Sequence, residues 1–178
     1  MAASDLLRAG TRVEVQGKSA WVVTHKLVEF CTSVERLAWA KASGCPWVEG
    51  TSALAAAGGR LGVLQWVRDR DCPWDAGTCG CAAASGHLEV LKWAREHGCP
   101  WDSATCSLAA LGGHLEVLRW ARQHNCPWDW ETCWCAARGG HLEVLQWARE
   151  NGCPWIKRDC LSVSWRHPET HAWVRAQP

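Results

Sequence analysis

The segment "CPWDSATCSLAALGGHLEVLRWARQHN", residues 99–125, decides how this chain is read. Its neighbours are close copies: "CPWDAGTCGCAAASGHLEVLKWAREHG" at 72–98 and "CPWDWETCWCAARGGHLEVLQWARENG" at 126–152. Cys-Pro-Trp stands at Cys45, Cys72, Cys99, Cys126 and Cys153, each 27 residues after the last. The same frame extends to 45–71, where Arg60 replaces His and Gly62 replaces Glu. It also extends upstream to 18–44, through Thr24, Leu37, Trp39 and Gly44, and downstream to 153–178, one residue short. A fixed period of this length marks a repeat architecture, in which each unit is too small to bury its apolar face alone. Units that differ at both ends are expected, because the ends of such a row meet water.

Each unit predicts two helices. Asp102 is an N-cap for a first helix through "SATCSLAAL", a "GGH" turn follows, and "LEVLRWARQH" is an amphipathic second helix. Leu115, Val117, Leu118 and Ala121 point inward there, with Glu116, Arg119 and Arg122 outward. The helix stops at Asn125, matched by Gly44, Asp71, Gly98 and Gly152, which suits a left-handed C-terminal cap. Proline just past that cap prevents continuation, and the cysteine before it is a small apolar plug. The tryptophan precedes the next N-cap, and with Cys106 five residues on it has the spacing of a hydrophobic staple. Cys-Pro-Trp is thus expected to stop one helix and aim the next. Ala109-Ala110 and their copies let first helices approach closely, and Trp66, Trp93, Trp120 and Trp147 fill the space left.

The totals narrow the function. Net charge is +1, so no basic excess points to nucleic acid. No run of 18 apolar residues predicts a membrane span, and "MAASDLLRAGTRVEVQ" does not read as a signal peptide. A soluble cytoplasmic or nuclear protein is the expectation, with its 12 cysteines kept as thiols. Zinc is disfavoured because Cys79-x-Cys81 and Cys133-x-Cys135 cannot share a helix face. Leu54 and Leu108 also fill the Cys81 column. Disulfides between successive copies of the Cys99 column are disfavoured, since packed helices stand about 8–10 Å apart. An internal Cys99–Cys106 bridge would need an oxidising compartment. His87, His114 and His141 come singly, one per unit, so they are expected to bond locally and start the second helix. No nucleophile or acid accompanies them, so no enzyme, cofactor or metal is expected. Arg68, Arg95, Arg122, Arg149 and Arg175 form a column that could track phosphates. Glu89, Glu116 and Glu143 offset it, and a solvated charged face is the expected role.

Comparing the copies shows where sequence is free. The fifth, ninth and thirteenth residues of each unit vary and share one face of the first helix. That face reads Val22, Lys26, Phe30 in the first unit, Glu49, Ala53, Ala57 in the second and Ser103, Ser107, Leu111 in the fourth. In the last two units it carries Trp130, Trp134, Arg138, Lys157, Leu161 and Trp165. Trp and Arg are enriched at binding hot spots, so Trp130, Trp134, Arg138, Lys157 and Trp165 are the expected partner-binding residues. The competing expectation is that these tryptophans cover the end of the row.

"TCSLAALGGHLEVLRWA" resembles the helix-turn-helix core of ankyrin repeats, in which an Ala-Ala step leads to Gly-His and Leu-Glu-Val. Gly113 to Val117, Gly86 to Val90 and Gly140 to Val144 match that turn and second helix. The resemblance spans most of 20–174 and is tightest in the three central units. Two features depart from the family: the Thr-Pro-Leu-His start is missing, and the period is 27 rather than about 33. The missing residues are those of the hairpin that projects between ankyrin repeats. The resemblance implies an all-α solenoid without hairpins, acting as a non-catalytic, monomeric scaffold that binds another protein. The alternatives are an architectural piece of a longer array and, further off, a nucleic-acid- or zinc-binding module. Residues 1–17 stay unassigned: "TRVEVQ" alternates like a strand, but a lone strand has no partner.

Overall fold

The computed structural model describes residues 11–15, 18–22, 33–42, 44, 47 and 50–178. Thr24, Lys26, Phe30, Glu49 and the first Cys-Pro pair, at 45–46, lie outside the described residues. The chain divides into two compact units, Met1–Pro46 and Trp47–Pro178.

In Met1–Pro46, β1 (Thr11–Val15) pairs antiparallel with β2 (Lys18–Val22), in a register running from Thr11 opposite Val22 to Val15 opposite Lys18. "TRVEV" therefore has a partner, against the sequence expectation. Its partner "KSAWV" opens the first unit of the 27-residue frame, which placed Val22 on a first helix; Val22 is a strand residue instead. Alternation in "TRVEV", with only two residues, Gln16-Gly17, before "KSAWV", outweighs the distant echo of the repeat. The unit also holds α1 (Val34–Ala42), on which Leu37 is buried.

Trp47–Pro178 is helical throughout its regular structure. Its elements are α2 (Thr51–Ala57), α3 (Leu61–Arg68), α4 (Ala76–Ala84), α5 (Leu88–Glu96), α6 (Ser103–Leu111), α7 (Leu115–Gln123), α8 (Trp130–Gly139), α9 (Leu142–Glu150), α10 (Lys157–Ser164) and α11 (Pro168–Ala176). The local signals work as their chemistry dictates. Asp102 and Asp129 adopt extended backbone and accept from the N–H of Ala104 at 3.1 Å and Glu131 at 2.9 Å. Second helices end in left-handed residues: Asp71 (φ 56°), Gly98 (φ 84°), Asn125 (φ 62°) and Gly152 (φ 81°). Cys99 N–H then reaches back to Ala94 O at 2.9 Å and Gly98 N–H to Arg95 O at 3.1 Å, the paired bonds of a Schellman motif. Cys72, Cys126 and Cys153 donate in the same way to Val67, Ala121 and Ala148.

Each first helix packs on its own second helix and on the next first helix, so that α2, α4, α6, α8 and α10 adjoin in sequence order. The alanine pairs Ala55-Ala56, Ala82-Ala83, Ala109-Ala110 and Ala136-Ala137 are wholly buried in that series. Leu64, Leu91, Leu118 and Leu145 of the second helices complete the core; burying each contributes about 1.5–3 kcal/mol. In the third and fourth units the ninth residue belongs to this seam rather than to a free surface. Gly80 and Ser107 are buried, a Cβ on Gly80 would lie 3.0 Å from Leu108 Cδ1, and Ser107 Oγ is 3.4 Å from Thr132 Oγ1. The closest packing runs through the small first helices. The second helices stand further apart, and tryptophan and arginine occupy the space between them.

Candidate functional site

The repeated residues meet at the joints between successive helix pairs. His114 is one example. Its backbone N–H bonds to Ala109 O within its own unit, but the ring Nε2 lies 3.1 Å from the carbonyl of Ala84, in the unit before. A carbonyl only accepts, so Nε2 carries the proton. His87 reaches Ala57 at 3.1 Å, His141 reaches Leu111 at 3.0 Å and His167 reaches Arg138 at 3.1 Å. These rings lie flat against Gly59, Gly86, Gly113 and Gly140, leaving no room there for a Cβ. The expectation of a purely local histidine is corrected: the residue ties one unit to the last.

Four arginines of the column, Arg68, Arg95, Arg122 and Arg149, are structural rather than part of a solvated face, and Arg175 is exposed. Arg95 donates to the carbonyl of Cys99 and lies 4.2 Å from the centre of the Trp101 ring. Arg68, Arg122 and Arg149 repeat both contacts, with Cys72 and Trp74, Cys126 and Trp128, and Cys153 and Trp155. Each of the four tryptophans Trp74, Trp101, Trp128 and Trp155 thus sits under the arginine of the preceding unit. It also meets the second-helix tryptophan of its own unit edge-on, as in Trp101–Trp120 at 5.9 Å and 67°. A residue at each second-helix end closes the column: His97 Nδ1 donates to Trp93 O at 2.8 Å, as His124 does to Trp120 O, and Asn151 Nδ2 to Trp147 O.

Thiols meet at the same joints. Cys99, Cys126 and Cys153 donate from Sγ to the carbonyls of Asp75, Asp102 and Asp129, at 3.3, 3.4 and 3.3 Å. Cys79 offers its hydrogen bond to Cys99, which holds Cys99 below the usual thiol range and, with burial, drives Cys79 above it. Cys106 with Cys126, and Cys133 with Cys153, behave alike. In the second unit a hydroxyl replaces one thiol, with Ser52 Oγ 3.4 Å from Cys72 Sγ. The neighbour of Cys99 is therefore Cys79, 20 residues upstream, and not Cys106; the ten described cysteines are free thiols. Among the described residues no three His, Cys, Asp or Glu side chains converge as a metal site would require. No helix among them is long and apolar enough to cross a membrane.

The expected partner-binding residues fall on two adjoining helices. Trp130 opens α8 and is 40% exposed; Trp134 is half-buried, and Arg138, exposed, holds its guanidinium 5.2 Å from the Trp134 ring. Lys157 opens α10 half-buried, and its Nζ bonds to the Gln177 carbonyl. Trp165 follows α10, 63% exposed, with Arg166 at 4.7 Å from its ring. Ile156, 42% exposed beside Lys157, stands in the column that holds the N-cap aspartate in the three central units, and no sequence signal marked its exposure. A groove opens between α7 and α9, where Arg119, Arg122, Gln123, Trp128, Trp147 and Asn151 line about 510 Å³.

A scan against protein-family models finds no match, and a search of curated proteins finds none.

Proposed function

We propose that residues 47–178 form an ankyrin-like α-solenoid, short in period and lacking hairpins, that serves as a non-catalytic scaffold for another protein. Support for the solenoid comes from the joints: the same histidine, arginine and cysteine contacts recur between consecutive units, and each first helix packs on the next. Support for binding comes from one observation. Of the four large apolar residues exposed among the described residues, three, Trp130, Ile156 and Trp165, flank α8 and α10, and the fourth, Trp39, is on α1. Trp134 and Arg138 lie on the same helix as Trp130, at four-residue spacing, which puts the three on one face. Aromatic anchors beside a guanidinium are the side chains most enriched at binding hot spots.

The experiment is affinity capture with the intact chain and with Trp130→Ala/Trp165→Ala, alongside thermal unfolding of both. A partner held by the first and lost by the second, at nearly equal melting temperatures, supports the reading. A melting temperature that drops sharply makes these tryptophans part of the fold, which leaves the architectural role.

A further inference from the structure

We propose that the groove between α7 and α9 binds an acidic, extended segment of a protein partner. The groove exists because the small first helices close together and the second helices do not. Its volume of about 510 Å³ lies within the range of about 300–1,000 Å³ typical of binding pockets. Two guanidiniums, two indoles and two carboxamides line it, with no carboxylate.

The other units explain why this groove differs. In the second, third and fifth units the residue at the Gln123 position is acidic: Asp69, Glu96 and Glu150. The residue at the Arg119 position in those units is Gln65, Lys92 and Gln146. One joint alone combines an added arginine with a missing acid. The two arginines also differ in what they have left to offer. Arg122 is committed to the Cys126 carbonyl and the Trp128 ring. Arg119 makes a single long bond, 3.4 Å to exposed Glu116, and lies 5.8 Å from the Trp147 ring. Its Nε is shut off from solvent and has no acceptor among the described residues. The side chain as a whole is 42% exposed, so an incoming carboxylate can reach the terminal N–H groups and form a charge-assisted pair there. Gln123 and Asn151 can bond to a peptide backbone, and Trp128 and Trp147 offer apolar surface to a neighbouring aliphatic side chain.

A nucleic acid fits less well. Phosphate recognition gains from many evenly spaced cations, whereas Arg68, Arg95 and Arg149 are spent on the chain's own carbonyls and exposed Glu89, Glu116 and Glu143 interrupt the row.

The test is titration of the intact chain with a synthetic decapeptide of alternating Glu and Leu at low salt, followed by tryptophan fluorescence and calorimetry. Arg119→Gln and Gln123→Glu each install the residue that other units carry, so the fold is kept. We expect saturable binding at one site, weakened about tenfold by either substitution and unchanged in Trp130→Ala/Trp165→Ala, which separates this groove from the proposed patch. Binding that ignores both substitutions, no saturation at millimolar peptide, or tighter binding of a single-stranded oligothymidylate would overturn the proposal.

Discussion

At Gly113 two demands coincide. The backbone is left-handed (φ 76°), and the ring of His141 lies where a Cβ would stand, 2.5 Å from Nδ1. Gly98 meets only the first demand: φ is 84° and the space around it is open. Gly98→Ala should therefore cost about 1–2 kcal/mol, the usual penalty of the left-handed region. Gly113→Ala adds overpacking and should cost about 2–5 kcal/mol, with the difference read from urea midpoints. His114→Ala should remove about 1–3 kcal/mol by orphaning the Ala84 carbonyl. The left-handed caps, the N-cap aspartates and the turn were all legible in the sequence, because each acts on backbone within a few residues. The histidine's real partner was not. A period shows that a residue is needed every time, but not which unit it touches, and 30 residues separate His114 from Ala84.

The same blindness to distant partners governs the second helices. Arg122 looked solvated, yet its guanidinium caps one carbonyl and covers one indole of the next unit. Arg122→Ala should cost about 2–4 kcal/mol, the sum of a charged hydrogen bond and a cation–π contact. Arg175→Ala, exposed on α11, should stay within about 0.5 kcal/mol. Thermal unfolding of the two variants makes the comparison. The first helices carry a pH dependence. Burial pushes Cys135 and Cys160 from 9.0 to about 11. A raised folded pKa favours the folded state while the thiol keeps its proton, so this stability is complete below about pH 9 and is lost as pH climbs toward 11. Urea midpoints at pH 8 and pH 10.5 should fall accordingly, and Cys160→Ala should flatten the fall.

Taken whole, the helical unit was legible because its signal repeats: alternation of Ala-Ala, Gly-His and Leu-Glu-Val fixes two helices per 27 residues. Where the repeat fades, the frame misleads; residues 18–22 lack Cys-Pro-Trp and pair as a strand with Thr11–Val15. The candidate patch was readable as a set of helix-face residues, though Lys157 turns to its own chain's Gln177 carbonyl. The α7–α9 groove was not readable, since it arises from unequal spacing of first and second helices, a property of no single unit. Within residues 47–178 the joints repeat the same histidine and arginine contacts in the same frame, which makes the units interchangeable. Excising residues 99–125 tests this most directly. Gly98 then precedes Cys126, Arg95 meets the Cys126 carbonyl, and His141 lies on Gly86. The account predicts a shortened protein with undiminished helicity per residue and one cooperative unfolding transition; a chain that loses its helices or melts without a transition would contradict it.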